Sequence, residues 1–198
     1  MRRLAPFFLL LLLAACGPGA VQTDVTRFTS LPPTGGARSF TILPQDGQVG
    51  SLEFERYADL VANQLAGLGW QPLPANRSAS TVVLVHWGMG APVTSTWSEP
   101  AWGWGGWGPG PWGGGFYSGF PYQDVYTQTE WPKWLEVTIL DGPAWRAGTR
   151  QAIWQGRAVA QGPAPSIAPV IPYLVRGLFS GFPGLNGETV RVEVPRKQ

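Results

Sequence analysis

The chain has 198 residues, 44% of them apolar and 13% charged, with 14 Lys and Arg against 12 Asp and Glu. This length suits one domain by the usual range of about 100–200 residues per domain, and a single cysteine excludes an intramolecular disulfide. No run of Lys or Arg builds the clustered basic face of a nucleic-acid binder, so nucleic acid is not an expected partner.

The first segment places Arg2 and Arg3 before the apolar run Phe7–Leu13, followed by Leu13-Ala14-Ala15-Cys16. That run falls short of the about 20 apolar residues needed to span a bilayer, and the order of basic, apolar and small residues reads as an export signal. Leu13–Cys16 resembles a lipobox in all four positions. The resemblance implies that residues 1–15 are a signal peptide removed in the mature protein and that Cys16 is acylated. Two or more acyl chains anchor a protein stably. Removing Arg2 and Arg3 equalises the basic and acidic counts. Residues 16–20 form a short tether, which holds the domain at 21–198 close to the membrane. Gly17, in place of an aspartate after the lipidated cysteine, implies the outer membrane where the host has one.

Val21–Phe28 alternates loosely and reads as a strand, as does Arg38–Leu43 before Pro44. Ser51 is positioned to cap a helix whose apolar residues Phe54, Tyr57, Ala58, Val61, Leu65 and Leu68 recur at helical spacing, with Gly67 and Gly69 ending it. Thr81–Trp87 is β-branched and almost wholly apolar, which predicts a central strand covered on both faces. Residues 92–123, dominated by Gly, Pro and aromatic side chains, predict no regular element. Trp134–Asp141 and Arg150–Ala160 read as a hairpin turning at Gly142 and Pro143. A second helix is expected from Ser166 to about Ser180, with Pro172 bending it or shifting its start. Its prolines and Arg176 favour a buried core helix over a transmembrane one. Thr189–Val194 closes the series as a half-buried strand. The expected fold is a two-layer α+β or α/β domain. One mixed β-sheet carries two packed helices and is built from two strand-strand-helix-strand halves.

Five features together resemble a family of bacterial envelope lipoproteins defined by domain of unknown function 4136. They are the lipobox Leu13–Cys16, the strands running into Thr41-Ile42-Leu43-Pro44, and the helix Glu55–Leu68 ending in Gly-Trp. The others are the Gly/Trp/Tyr-rich insert and the later hairpin, Leu135–Asp141 followed by Ala152–Ala158. The resemblance covers essentially all of the mature chain and departs from the common pattern in the proline-rich last helix. It implies an α/β envelope lipoprotein and no particular activity.

Candidate chemistry is sparse. His86 is the only imidazole and lies in an apolar strand, where a structural role outweighs a catalytic one. Nothing near it supplies the remaining ligands of a zinc site, so no metal or cofactor is expected. Glu99, Asp124 and Glu130 flank the insert as candidate acid and base groups for a cell-wall glycan-acting enzyme. The leading site is the insert itself, with Trp97, Trp102, Trp104, Trp107, Trp112, Phe116 and Tyr117 among glycines and prolines. Three uses fit such rings: stacking on glycan faces, seating at the bilayer interface, or contacting an envelope protein. A loop that buries its tryptophans on its own sheet, or carries no structure, fits the same composition. The reading is a non-catalytic binding or envelope-maintenance protein attached to the membrane by its lipid.

Overall fold

The computed structural model describes residues 19–33, 36–101 and 122–196. In chain order it holds β1 (Ala20–Thr29), β2 (Ser39–Ile42), α1 (Leu52–Gly67), β3 (Gln71–Pro72), β4 (Thr81–Met89), β5 (Val93–Ala101) and β6 (Tyr122–Glu130). These are followed by β7 (Lys133–Asp141), α2 (Gly142–Arg146), β8 (Ala152–Ala160), α3 (Ile171–Phe179) and β9 (Thr189–Pro195). Seven strands form a mixed sheet in the order β3-β2-β4-β7-β8-β1-β9, while β5 and β6 pair apart from it. The strand-strand-helix-strand plan appears in each half, but the halves interlock. β1 leaves the first half to lie between β8 and β9, antiparallel to both, so β4, β7 and β8 separate it from β2.

Helix α1 starts where the side chain of Ser51 accepts from the Phe54 N–H at 3.2 Å. Its end is a Schellman turn: Gly69 at φ +85 donates to the Ala66 carbonyl, and the Trp70 N–H reaches that of Leu65. Phe54, Tyr57, Val61 and Leu65 form its buried face. Together with α3 it covers one face of the sheet, and Val83, Val85, Leu135, Val137 and Ile139 point into this main core. On the other face Val82, Leu84 and Leu140 are sealed by Leu43 and Trp145. From Val82 to Val85 β4 is therefore buried on both sides, as its almost wholly apolar run predicts.

Three expectations need correction. Both ends of the segment 92–123 are regular, as β5 and the start of β6, because β-branched and aromatic residues there outweigh the nearby glycines. The turn at Gly142 and Pro143 is a one-turn helix, α2, in which the Asp141 carboxylate accepts from the Ala144 N–H at 2.8 Å. A Cβ on Gly142 would lie 2.3 Å from the Ala79 carbonyl oxygen, so no larger residue fits there. Ser166 does not cap the last helix, which begins only at Ile171. Pro172 has no N–H to give and is accommodated in the first turn, where none is needed.

Helix α3 presses on β1 and β8. A Cβ on Gly177 would meet the Thr23 hydroxyl at 2.4 Å, and one on Gly156 would meet Trp154 and Leu178. Trp154 stacks on Phe179 at 5.6 Å between centroids and gives its indole N–H to the Pro183 carbonyl. Arg27, only 5% exposed, reaches from β1 to the end of α3. Its guanidinium donates to the carbonyls of Leu178 at 3.0 Å, Gly177 at 3.1 Å and Ser180 at 2.6 Å. Burial holds this guanidinium below the ordinary arginine range.

Arg27→Met keeps the apolar stem but takes the guanidinium from the carbonyls of Leu178 and Ser180, while that of Gly177 keeps its bond from the Ser180 N–H. It should cost about 3 kcal/mol and lower Tm by about 6–12 °C in thermal unfolding, about 2–4 °C per kcal/mol at this size. An unchanged Tm would mean that the cap contributes nothing net. Gly177→Ala should also destabilise, by about 1–3 kcal/mol, and Thr23→Ala should relieve part of that loss. Simple additivity in the double variant would show that the two sites do not touch.

Candidate functional site

The pairing of β4 with β7 runs to Met89 opposite Lys133. After a short break it resumes as β5 and β6, from Val93 opposite Glu130 to Ala101 opposite Tyr122. The two strands thus continue past the sheet as a ribbon about 27 Å long, at about 3.4 Å per residue. Among the described residues β5 and β6 pair only with each other. The residues of β5 from Val93 to Glu99, and of β6 from Val125 to Thr129, are exposed on both faces.

The register sorts the side chains. Trp97 stands opposite Tyr126 and stacks on it, with ring centroids 6.0 Å apart and planes 20° from parallel. Trp97 is 43% and Tyr126 45% exposed, so this ring pair is presented to solvent rather than folded onto the sheet. The reverse face is hydroxyl-rich: Thr94 and Thr129 bond at 3.2 Å, with Thr96 opposite Thr127 and Ser98 opposite the exposed Val125. Trp102, Trp104, Trp107, Trp112, Phe116 and Tyr117 lie outside the described residues, as does Cys16. Of the expected aromatic set Trp97 is the member placed by the structure, and Tyr126 is an addition. Tyr126 was detectable in the sequence as an aromatic within the β-prone Val125-Tyr126-Thr127, but the glycine-rich surroundings masked it.

The candidate carboxylates separate into a pair and an outlier. Glu99 and Asp124 are direct cross-strand partners, at a usual Cβ separation of about 4.5–5.5 Å. Glu130 is six positions along β6 from Asp124, about 20 Å away along the strand, and accepts from the Gln128 amide at 2.9 Å. The Glu99–Asp124 pair sits on an open ribbon. His86 faces away from the main core, with Glu136 as its strand neighbour and its Nδ1 3.4 Å from the Gln45 amide nitrogen. Among the described residues no group of three or more His, Cys, Asp or Glu side chains converges on a metal-sized site. Two surface hollows stand out. One, of about 410 Å³, lies at the Phe182–Asn186 turn. The other, of about 350 Å³, is bordered by Asp24, Glu130, Arg191 and Arg196.

The base of the ribbon is built from groups that sequence patterning does not flag. Lys133 is 1% exposed, and its ammonium donates to the carbonyls of Trp131 and Gly162, each at 3.0 Å. Burial pushes this lysine below its ordinary range, and Glu130 acts in the opposite direction. The Trp131 N–H adds a bond to the same Gly162 carbonyl at 2.9 Å, and Gly90 donates to the Pro132 carbonyl at 2.8 Å. These bonds fix where both strands leave the sheet.

Because the described part of the ribbon pairs only with itself, replacing residues 94–129 by an Asn-Gly turn between Val93 and Glu130 should leave Tm within about 2 °C, as for surface changes of about ±0.5 kcal/mol. A large drop would mean that the ribbon supports the core. Lys133→Met, in contrast, removes the clamp and should cost about 2 kcal/mol in the same assay.

The sequence matches the family model described as Domain of unknown function (DUF4136) over residues 22–184. Among solved structures the chain is similar to a PDZ domain protein from Parabacteroides distasonis ATCC 8503, with a TM-score of 0.54 and 9% identity. That match covers 94% of this chain and 42% of the other, so the chain spans less than half of that protein. At this identity the likeness is one of fold. A PelC dodecamer structure from Paraburkholderia phytofirmans is similar with a TM-score of 0.39 and 14% identity, over 80% of this chain and 95% of that one. None of the curated proteins matches. With the family match running from β1 through the turn that follows α3, the chain belongs to the DUF4136 family, a domain of unknown function.

Proposed function

We propose that this protein is an envelope lipoprotein, anchored by acylated Cys16 to the periplasmic face of the outer membrane, whose ribbon arm binds another envelope protein without catalysis. The observation that carries the reading is the stacked Trp97–Tyr126 pair, held in solvent on two strands that, among the described residues, pair only with each other. Exposed aromatic rings on a fixed backbone are favourable contact groups at protein interfaces. Each ribbon strand also has one edge unpaired among the described residues, which offers main-chain hydrogen bonds to an incoming strand.

Charge favours a protein over the bilayer as the surface contacted. From Val93 to Glu130 the chain carries Glu99, Asp124 and Glu130 and no Lys, Arg or His. An arm with three carboxylates and no cation is repelled by an anionic membrane surface. Membrane attachment therefore rests on the lipid, supported by the arrangement of Arg2, Arg3, Phe7–Leu13 and Cys16. The register that sets Glu99 across from Asp124 keeps a second reading alive, an enzyme acting on cell-wall glycan with those two as acid and base.

Cys16→Ser should move the protein from the membrane to the soluble fraction of fractionated cells; continued tight attachment would contradict lipid anchoring. For the arm, Trp97→Ala with Tyr126→Ala should leave Tm unchanged and abolish its contact. Tryptophan emission titrated with anionic vesicles and with cell-wall glycan fragments should show no arm-dependent blue shift. A shift with vesicles would make the arm a membrane contact. A shift with glycan, accompanied by turnover that Glu99→Gln removes, would establish the enzyme instead.

A further inference from the structure

The two borders of the seven-stranded sheet are unlike. At one, β3 has two residues, one of them Pro72, and so presents almost nothing to pair with. At the other, β9 has seven residues and, among the described residues, β1 as its sole strand partner. The Arg196 N–H donates to the Gly19 carbonyl of the neighbouring chain segment. By the two-residue alternation of an antiparallel ladder, the backbone groups of Val194, Val192 and Val190 then face β1, and those of Arg191 and Glu193 face outward.

The segment around β9 reads Glu188-Thr189-Val190-Arg191-Val192-Glu193-Val194-Pro195-Arg196. Folded antiparallel onto a copy of itself about Val192, every charge meets its opposite. Arg191 falls across from Glu193, and Glu188 from Arg196. Val190 falls across from Val194, and Val192 from itself. Sliding the register by two residues in either direction sets Arg191 against Arg191 or Glu193 against Glu193, and like charges directly opposite are destabilising. Charged residues commonly protect a sheet edge from pairing. In this order they exclude the neighbouring self-pairings and admit one.

We propose that β9 is a homodimer edge, at which two copies of this chain pair antiparallel about a two-fold axis through Val192 and join their sheets into one. The arrangement is isologous, with the same strand contributed by both copies. Arg191 and Glu193 exchange both backbone bonds with Glu193 and Arg191 of the partner subunit. The Arg191 guanidinium, already on the Asp24 carboxylate at 2.9 and 3.3 Å, stands between that group and Glu193 of the partner subunit. Glu193 itself has a 3.4 Å bond from the Gln22 amide within its own chain. Val190, 40% exposed in the single chain, is covered by Val194 of the partner subunit. Pro195 is the last residue of the strand, where a missing outward N–H costs only the end of the ladder.

The test uses the full-length chain with Val192→Cys, oxidised in detergent micelles. Residues facing each other in a non-hydrogen-bonded antiparallel pair have Cα atoms about 4.5 Å apart, inside the disulfide range of about 4.4–6.8 Å. The expected product is a covalent dimer whose linkage peptide mass spectrometry maps to the two substituted positions. Adding Glu193→Arg or Arg191→Glu should reduce that linkage at least tenfold. Mixing the two reversed chains should restore it, since each then supplies the charges the other lacks. Absence of the linkage in the first chain, indifference to charge reversal, or failure of the mixture to recover would each overturn the proposal.

Discussion

The packing of α3 onto β1 through the buried Arg27 guanidinium is the interaction on which the rest of the structure depends. A buried charge is costly unless it is hydrogen-bonded, and among the described residues no carboxylate bonds to Arg27. Its partners are the last carbonyls of α3, groups that carry partial negative charge; that of Gly177 also accepts from the Ser180 N–H, while those of Leu178 and Ser180 are taken up by the guanidinium. One side chain thus meets two needs, compensation of its own charge and capping of the helix. It also fixes the position of α3 on β1. The close approach at Gly177 and the Trp154–Phe179 stack follow from that position. Because β1 is inserted between β8 and β9, the same contact ties the first strand of the domain to the last helix and the last strand.

At the other side of β8 the sheet is organised for a different purpose. β4 and β7 lie at its centre, apolar on both faces where they meet Leu43 and Trp145, and these same strands lead into the ribbon. An element rooted in the most buried pair can carry exposed aromatic groups without placing the core at risk. The buried Lys133 clamp and the Gly90–Pro132 bond determine where the ribbon leaves the sheet. The chain therefore divides its labour. The seven-stranded sheet and two helices provide stability, and the ribbon presents rings, and strand edges unpaired among the described residues, at a distance from them. The polar outer face of β7, β8, β1 and β9 is held by local pairs, Arg157 with Glu136 at 3.6 Å and Arg191 with Asp24.

Much of the core was legible in the sequence because it depends on spacing. The Phe54-Tyr57-Val61-Leu65 face, its Ser51 cap and the almost wholly apolar run of β4 are local patterns, and each has the position expected of it. What sequence patterning missed depends on distant partners. Arg27 and Lys133 look like surface cations, since nothing local reveals carbonyls arriving from residues 177–180 or from Gly162. The ribbon was hidden for a related reason. Gly and Pro near residues 102–121 dominate the composition, yet the flanking strands need only β-branched and aromatic residues and a register, and their mutual pairing supplies that. The start of α3 was misplaced because Ser166 is a good cap for a helix that Pro172 does not permit so early. Trp97 was identified from its chemistry alone, while its stacking partner Tyr126 required the cross-strand register.

In the proposed function the ribbon, and not the polar sheet face, meets another envelope protein. A photoreactive phenylalanine analogue placed at Trp97, and separately at Thr26 on that face, followed by irradiation of intact cells, compares the two surfaces directly. A discrete protein adduct is expected from position 97 and none from position 26. Adducts from position 26 with none from position 97 would contradict the proposed function and move the binding surface onto the sheet.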